Sequence, residues 1–372
     1  MKKQFIYLLG IGAMAAISAC QNNSKSDSMG DTTATMMDTS ANQKSVKPTG
    51  PAPDWAPGIK PEMQAVIEKL ASYGDRPIPT LTAAEARKNH TPTDAVMDLM
   101  AENNIPMPAL KVDTMGREIP VSGGNIHIRV YTPQGKTGAL PVIVYYHGGG
   151  FVIANIDVYD ASAKTLADQV GAVVVSVAYR LAPEHKFPTA HDDAFAAYQW
   201  VVKNAAAIGG DAKKVAVAGE SAGGNLALNT AIKARDMKMM VPTAILAVYP
   251  VAGSDMATPS YTKNAKAKPL DKPMMMWFVK NYLNSMAEAK DPRIDLFSAN
   301  LKGIPPTIII TAEFDPLMSE GEHLAEKLKA AGVSVDSKNY SGVTHEFFGM
   351  GAIVPEAKDA MGYAVSGLKK AF

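Results

Sequence analysis

Beyond about Trp55 the chain alternates short apolar runs with stretches whose apolar residues recur at helical spacing. Val142–Tyr146, Val173–Val177, Val215–Ala218, Ala244–Val248 and Thr307–Thr311 are solid runs of four or five residues, most of them rich in β-branched side chains. A run that is apolar on both faces predicts a parallel strand covered by helices above and below. The stretches Ala190–Ala206, Gly223–Ala234 and Glu320–Ala331 supply such helices. Val333–Tyr340 reads as a further strand. Ile126, Ile128 and Val130 alternate with His127, Arg129 and Tyr131, a half-buried strand after the Gly123-Gly124 turn. Strand and helix alternating in this way predict an α/β fold, a mostly parallel, doubly wound sheet with helices on both faces. The ligand crevice of such a sheet opens at the C-terminal strand ends.

The N-terminal side differs. Residues 60–71 and 93–103 show helical spacing, as in Met63, Val66, Ile67 and Leu70, but Pro77, Pro79 and Pro92 break the pattern between them. Residues 54–115 are therefore expected to form a cap of short helices over the strand ends, with 116–372 as the main domain. Residues 21–53 hold five Ser, five Thr and three Asn, and no Leu, Ile or aromatic residue. Such a segment cannot bury enough apolar surface to offset its ordering entropy. It is expected to be a flexible tether, 20–53, reaching about 30 Å on average.

Ahead of it, Lys2 and Lys3 precede an apolar run from Phe5 to Ala19, too short to span a bilayer comfortably and suited to a secretory signal. The run ends Ile17-Ser18-Ala19-Cys20, which resembles the bacterial lipobox. That resemblance implies removal of residues 1–19, acylation of Cys20 and export as a lipoprotein. Gln21 after the cysteine implies the outer membrane, facing the periplasm or the cell surface. At about 0.8 kcal/mol per buried CH₂, two or three acyl chains form a stable anchor.

Composition narrows the picture further. The chain has 372 residues, 47% hydrophobic and 20% charged, enough for a substantial core. Its formal charge of +1 gives no electrostatic footprint for nucleic acid. A single cysteine excludes an internal disulfide and a cysteine-rich zinc site.

Two motifs carry chemistry. Gly219-Glu220-Ser221-Ala222-Gly223 follows one predicted strand and opens a predicted helix. This is the Gly-x-Ser-x-Gly elbow, which exposes a nucleophilic serine on a sharp turn. His147-Gly148-Gly149-Gly150-Phe151 follows another strand, and its glycines let backbone amides point into a site. The amides of Gly148, Gly149 and Ala222 are the candidate oxyanion hole. A phosphate-cradling reading lacks the Gly-Lys-Ser/Thr ending. His147 is expected to hold its loop in place and not to act as a base.

These motifs, with Tyr179-Arg180-Leu181-Ala182-Pro183-Glu184-His185, Phe187-Pro188 and His191-Asp192-Asp193, resemble the hormone-sensitive-lipase-like carboxylesterases of the α/β-hydrolase superfamily. The resemblance covers roughly residues 60–370. It implies an α/β-hydrolase fold with an N-terminal helical cap, and activity on short-chain carboxylic esters without a cofactor. The chain departs from that pattern at Glu220, where Asp is usual, at Ser319, where an acid is common, and at Glu346, where Gly often follows the histidine.

The hydrolase order is serine, acid, histidine. Asp315 in Asp315-Pro316-Leu317 matches the family's acid, with Glu313 as rival. His345 lies after it in a loop following a predicted strand, whereas His323 sits in a charged helix. The expected triad is thus Ser221, Asp315 and His345.

Other groups are read as structural. His191, Asp192 and Asp193 fall in the first turns of a helix, where acids suit the dipole, so no metal is expected. Met274-Met275-Met276-Trp277-Phe278 is an apolar cluster of helical length, core or pocket wall. Phe151, Trp277 and Phe278 are candidate substrate-pocket residues. The expected partners are a small ester and, through the lipid anchor, a membrane, with a homodimer also allowed. Alternatives are an amidase or lactonase on the same fold, a long-chain lipase, and an inactive ligand-binding protein, against which the intact triad argues.

Overall fold

Valine and isoleucine are buried on both sides of the central strands, and that sets the architecture. The computed structural model describes residues 46–372; the expected signal segment 1–19, Cys20 and the tether up to residue 45 lie outside it. Eight strands form one sheet: β1 (Val112–Val121), β2 (Gly124–Pro133), β3 (Leu140–Tyr146), β4 (Val173–Ala178), β5 (Gly210–Glu220), β6 (Ile245–Val248), β7 (Thr307–Phe314) and β8 (Val335–Thr344). Their order is β1-β2-β4-β3-β5-β6-β7-β8. β2 pairs antiparallel with β1 and β4, and the remaining pairs are parallel.

Strand alternation divides the core in two. Val142, Val144 and Tyr146 of β3 face one hydrophobic cluster with Val173, Val175 and Val177 of β4. Ile143, Tyr145 and Val174 face the other. Helices α5 (Thr189–Asn204), α6 (Ala222–Asp236) and α9 (Met318–Ala330) cover the first face. Helices α4 (Asp160–Leu166) and α10 (Pro355–Lys370) cover the second. Each fully buried valine of β4 contributes about 1.5–3 kcal/mol. The strand ends are thereby held rigidly enough to carry loops of unusual conformation.

The cap is built from α1 (Pro61–Ser72), the short α2 (Ala83–Ala86) and α3 (Pro92–Glu102). Pro61 and Pro92 stand at the first helical positions, and Thr82 and Thr91 make capping boxes with Glu85 and Asp94. A second segment joins this cap. Helix α8 (Lys272–Tyr282), which follows α7 (Pro259–Lys263), packs against it, and Trp277 Nε1 donates to the Leu81 carbonyl at 3.0 Å. The cap is therefore not confined to residues 54–115, because α8 supplies apolar surface that the short N-terminal helices lack.

Two expected boundaries shift. The end of the tether is docked: the Thr49 N–H and hydroxyl donate to Glu68, and Gln64 donates to the Gly50 and Pro51 carbonyls. Val46 is buried in the second cluster. A boundary at 115/116 would cut β1, an edge strand whose side chains are mostly exposed and which lacks a clean apolar alternation.

Candidate active site

All four candidate loops sit at the C-terminal ends of parallel strands. Ser221 follows β5 and precedes α6 with φ 55° and ψ −117°, outside the regions where L residues rest comfortably. The turn is held by the Ser221 N–H donating to the Val248 carbonyl at 2.8 Å. It is also tight. A Cβ on Gly223 would stand 2.0 Å from the Tyr146 carbonyl oxygen, so only glycine fits where α6 crosses the end of β3.

The structure brings Ser221, His345 and Asp315 together. The Ser221 hydroxyl donates to His345 Nε2 at 2.9 Å, and His345 Nδ1–H donates to Asp315 Oδ2 at 2.6 Å. The aspartate is fully buried just past β7, and its Oδ1 accepts the Leu317 N–H at 2.8 Å. Asn264 donates to the Asp315 carbonyl at 2.9 Å. Burial by itself would lower the pKa of His345. The charge and hydrogen bond of Asp315 outweigh it, and the imidazole is held above its ordinary value. Glu313 takes no part in this chain; its carboxylate accepts the Gly342 N–H at 2.9 Å and braces the end of β8 instead. His323 is half exposed on α9, 3.6 Å from Glu326.

The glycine loop after β3 lies opposite. Gly149 has φ +98°, and a Cβ there would stand 2.2 Å from the Ile153 carbonyl oxygen. Among the described residues, the amides of Gly148 and Gly149 donate to no protein acceptor. Ala222 is the first residue of α6, where amides lack intrahelical partners and the dipole favours negative charge. His147 is buried, stacks on Tyr179 at 4.3 Å and bonds to the Gly148 carbonyl through Nδ1. Burial holds it down to about 4, so it stays neutral and shapes the loop.

A cavity of about 930 Å³ opens above Ser221 and His345. Ile67 and Leu70 of α1, Pro77 and Pro79, and Met274, Met275 and Phe278 of α8 line it. Of the three expected pocket residues, Phe278 lines the cavity. Phe151 and Trp277 do not. Phe151 is stacked on Tyr282 at 4.2 Å behind the wall, and the Trp277 indole is committed to Leu81.

His191, Asp192 and Asp193 point to different partners. His191 bonds Tyr282 and Asn225, Asp192 pairs with Lys233, and buried Asp193 pairs with Arg180 at 2.6 Å. The acid pair thus does more than suit the helix dipole: Asp193 ties the loop after β4 to α5.

Four features of the site escape sequence reasoning. Tyr249, just past β6, packs its ring 4.4 Å from that of His345 and donates, with Tyr145, to the buried carboxyl of Glu220. Burial pushes Glu220 up to about 7. Glu320 accepts the Ala252 and Gly253 N–H groups and is pushed up to about 8 by burial. Tyr159 donates to Glu346 at 2.7 Å beside the triad. Arg87 of the cap donates to the Val152 and Ala182 carbonyls and pairs with Glu184, clamping the cap to the loop after the glycines. Each of these contacts joins residues far apart in sequence. Only the solitary Tyr249-Pro250 step at a strand end gave any local signal.

The model of the family described as the alpha/beta hydrolase fold matches residues 143–349. The chain is 40% identical over 270 residues to carboxylesterase NlhH of Mycobacterium tuberculosis, covering 71% of this chain and 84% of that one. It is 33% identical over 320 residues to an ethyl acetate hydrolase of Pseudomonas putida, covering 84% and 99%. A hyperthermophilic esterase from the archaeon Pyrobaculum calidifontis superposes with a TM-score of 0.77 at 36% identity, covering 84% of this chain and 98% of that one.

Proposed function

The chain belongs to the α/β-hydrolase-fold family, and from that premise we propose that it hydrolyses short-chain carboxylic esters through an acyl-enzyme on Ser221. It is a carboxylic ester hydrolase. The observation that carries the mechanism is the buried chain Ser221–His345–Asp315, with bonds of 2.9 and 2.6 Å, facing amides that have no protein acceptor.

Ser221 Oγ attacks the ester carbonyl while His345 Nε2 takes its proton. Asp315 holds the tautomer and stabilises the imidazolium. The carbonyl oxygen, now an anion, is received by the amides of Gly148, Gly149 and Ala222, each worth about 2.7–4 kcal/mol in such sites. Collapse of the tetrahedral adduct breaks the ester C–O bond, and His345 returns the proton to the departing alcohol. Water then repeats the sequence on the acyl-enzyme and frees the acid.

The short-chain reading is supported by Phe278, whose ring lies hard against Gly150 and lines the cavity that Ser221 opens into. Beyond the room available, each longer chain displaces packed side chains at about 1–3 kcal/mol. The test is turnover across nitrophenyl esters from acetate to palmitate, with Ser221→Ala as control. Specificity constants peak at acyl chains of about two to six carbons under this reading, given about 0.8 kcal/mol per accommodated CH₂. A maximum at palmitate points to a long-chain lipase. Preference for an anilide over the matching ester points to an amidase.

The anchor is part of the same proposal. Lys2, Lys3, the apolar run to Ala19 and the lipobox-like ending at Cys20 support an exported lipoprotein of the outer membrane. Mass spectrometry of the mature N-terminus decides it, since an unmodified N-terminus excludes acylation at Cys20.

A further inference from the structure

The charged side chains that line the cavity are engaged, with one exception among the described residues. Arg76 pairs with Glu85 at 3.8 Å, Arg87 with Glu184 at 2.7 Å, and Lys268 with Asp271 at 2.6 Å. Asp75 accepts the His90 N–H at 2.7 Å and faces its ring at 3.0 Å. Glu346 has no cationic partner. The neutral Tyr159 hydroxyl donates to its two oxygens at 2.7 Å, and its nearest basic atom is His345 Nε2 at 3.9 Å. That imidazole must be neutral to accept the Ser221 proton.

The carboxylate is also placed at a cost. Glu346 directly follows the histidine with φ +71°, a left-handed conformation that glycine adopts freely and other side chains adopt with strain. It nevertheless lines the cavity. Its position along the reaction path follows from His345. Nε2 returns its proton to the departing oxygen, so the alcohol half of an ester passes within hydrogen-bond reach of Nε2. Glu346 Oε1, 3.9 Å from Nε2, therefore borders the path of the departing alcohol half.

We propose that Glu346 is a specificity residue that attracts a cation on the alcohol half of the substrate. The favoured class is amino-alcohol esters whose nitrogen stands two carbons from the ester oxygen. An O–C–C–N unit brings the charge past Nε2 to the carboxylate without a longer spacer. Tyr159, whose ring lies 5.9 Å from that of His147 at the base of the glycine loop, holds the carboxylate in this position. The proposal rests on the serine esterase reading and adds a substrate class to it.

The test compares acetylcholine with its neutral isostere 3,3-dimethylbutyl acetate at pH 8 and low ionic strength, with 4-nitrophenyl acetate as a third substrate. The wild-type kcat/KM should favour the cationic ester by about tenfold, the scale of one partly screened charge contact. Glu346→Gln should bring the ratio to about one, and because the ratio is internal, any general loss of activity cancels. In the wild type alone, 0.5 M NaCl should shrink the preference, since a screening length of a few ångströms weakens the attraction. This arm stands even if the variant does not fold. A wild-type ratio at or below one overturns the proposal, as does a ratio unmoved by both the substitution and salt. Failure of all three esters to turn over overturns the esterase reading and this proposal with it.

Discussion

Replacing Asp315 by Asn tests the triad at its most constrained point. Asp315 meets two donors at once, the Leu317 N–H at Oδ1 and the His345 Nδ1–H at Oδ2, in a site with no solvent exposure. Asparagine offers one acceptor and one donor group. Turned with its oxygen toward His345, it sets NH₂ against the Leu317 N–H, a buried donor–donor contact costing about 1–3 kcal/mol. Turned the other way, it donates to Nδ1, and His345 takes the tautomer with its hydrogen on Nε2. That tautomer cannot accept the proton of Ser221.

The Leu317 amide therefore selects the inactive arrangement. At about 1.4 kcal/mol per tenfold, the bias leaves roughly 5- to 150-fold fewer competent molecules. The competent minority also loses the charge-assisted bond to the imidazolium, about 1.5–3 kcal/mol, or roughly 10- to 150-fold more. Asp315→Asn should thus lower kcat/KM on 4-nitrophenyl acetate by roughly 10²–10⁴-fold. Thermal unfolding should remain cooperative, because the side-chain volume is kept. A variant retaining more than a tenth of wild-type activity would show that the Leu317 amide does not impose the tautomer.

Further expectations follow from the same structure. Ser221→Ala should lower turnover by several orders of magnitude at unchanged thermal stability, and near-normal hydrolysis would exclude the serine mechanism. Because His345 must be neutral to accept a proton and its pKa is raised, kcat/KM should fall as pH drops through a midpoint above 6.5; a midpoint below 6.5 would contradict the dominance of Asp315. Glu320, pushed up to about 8 by burial, binds its proton more tightly folded than unfolded. Its contribution to stability should therefore be fully present below about pH 4.5 and be lost as pH rises toward about 8, and Glu320→Gln should remove that component of the slope in pH-dependent melting. Trp277→Phe removes the donor to the Leu81 carbonyl and should cost about 1–3 kcal/mol in denaturant unfolding. An unchanged midpoint would mean that this bond does not hold the cap.

The parallel strands and the helices α5, α6 and α9 are legible in the sequence because both are written in local pattern. Val142–Tyr146 and Val173–Val177 are apolar throughout since both sheet faces are covered, and the observed strands begin or end within a few residues of those runs. The glycine motifs are legible for a related reason, since close backbone approach leaves glycine as the residue that fits. What the pattern does not show is partnership across distance. Edge strand β1 has one fully buried residue, Ile119, and is held by pairing with β2 along its whole length. Helix α10 buries Ala357, Ala360, Ala364 and Leu368, but small alanines make a faint apolar stripe. Phe151 has the position of a pocket residue in the chain, yet stacking on Tyr282 turns it inward. Trp277 is drawn away by one hydrogen bond across the cap.

The groups that stabilise this fold least are the ones nearest the chemistry, and the sheet explains why they are tolerated. Ser221 and Glu346 occupy left-handed backbone, at about 1–3 kcal/mol of strain each. Glu220 and Glu320 are carboxyls withdrawn from water, and His147 and His191 are imidazoles that burial keeps neutral. His147, Glu220 and Ser221 stand at the C-terminal ends of β3 and β5, where the strand residues are buried on both faces. A segment that rigid cannot relax toward an easier backbone without exposing valine and isoleucine on two sides at once. The apolar runs are thus more than a core. They hold Ser221 in its strained turn, and they keep the amides of the glycine loop facing a cavity instead of folding back on the chain. A mutation deep in β3 or β5 that loosens this packing should consequently lower activity before it lowers the midpoint of unfolding, because the strained turns would be the first features to relax.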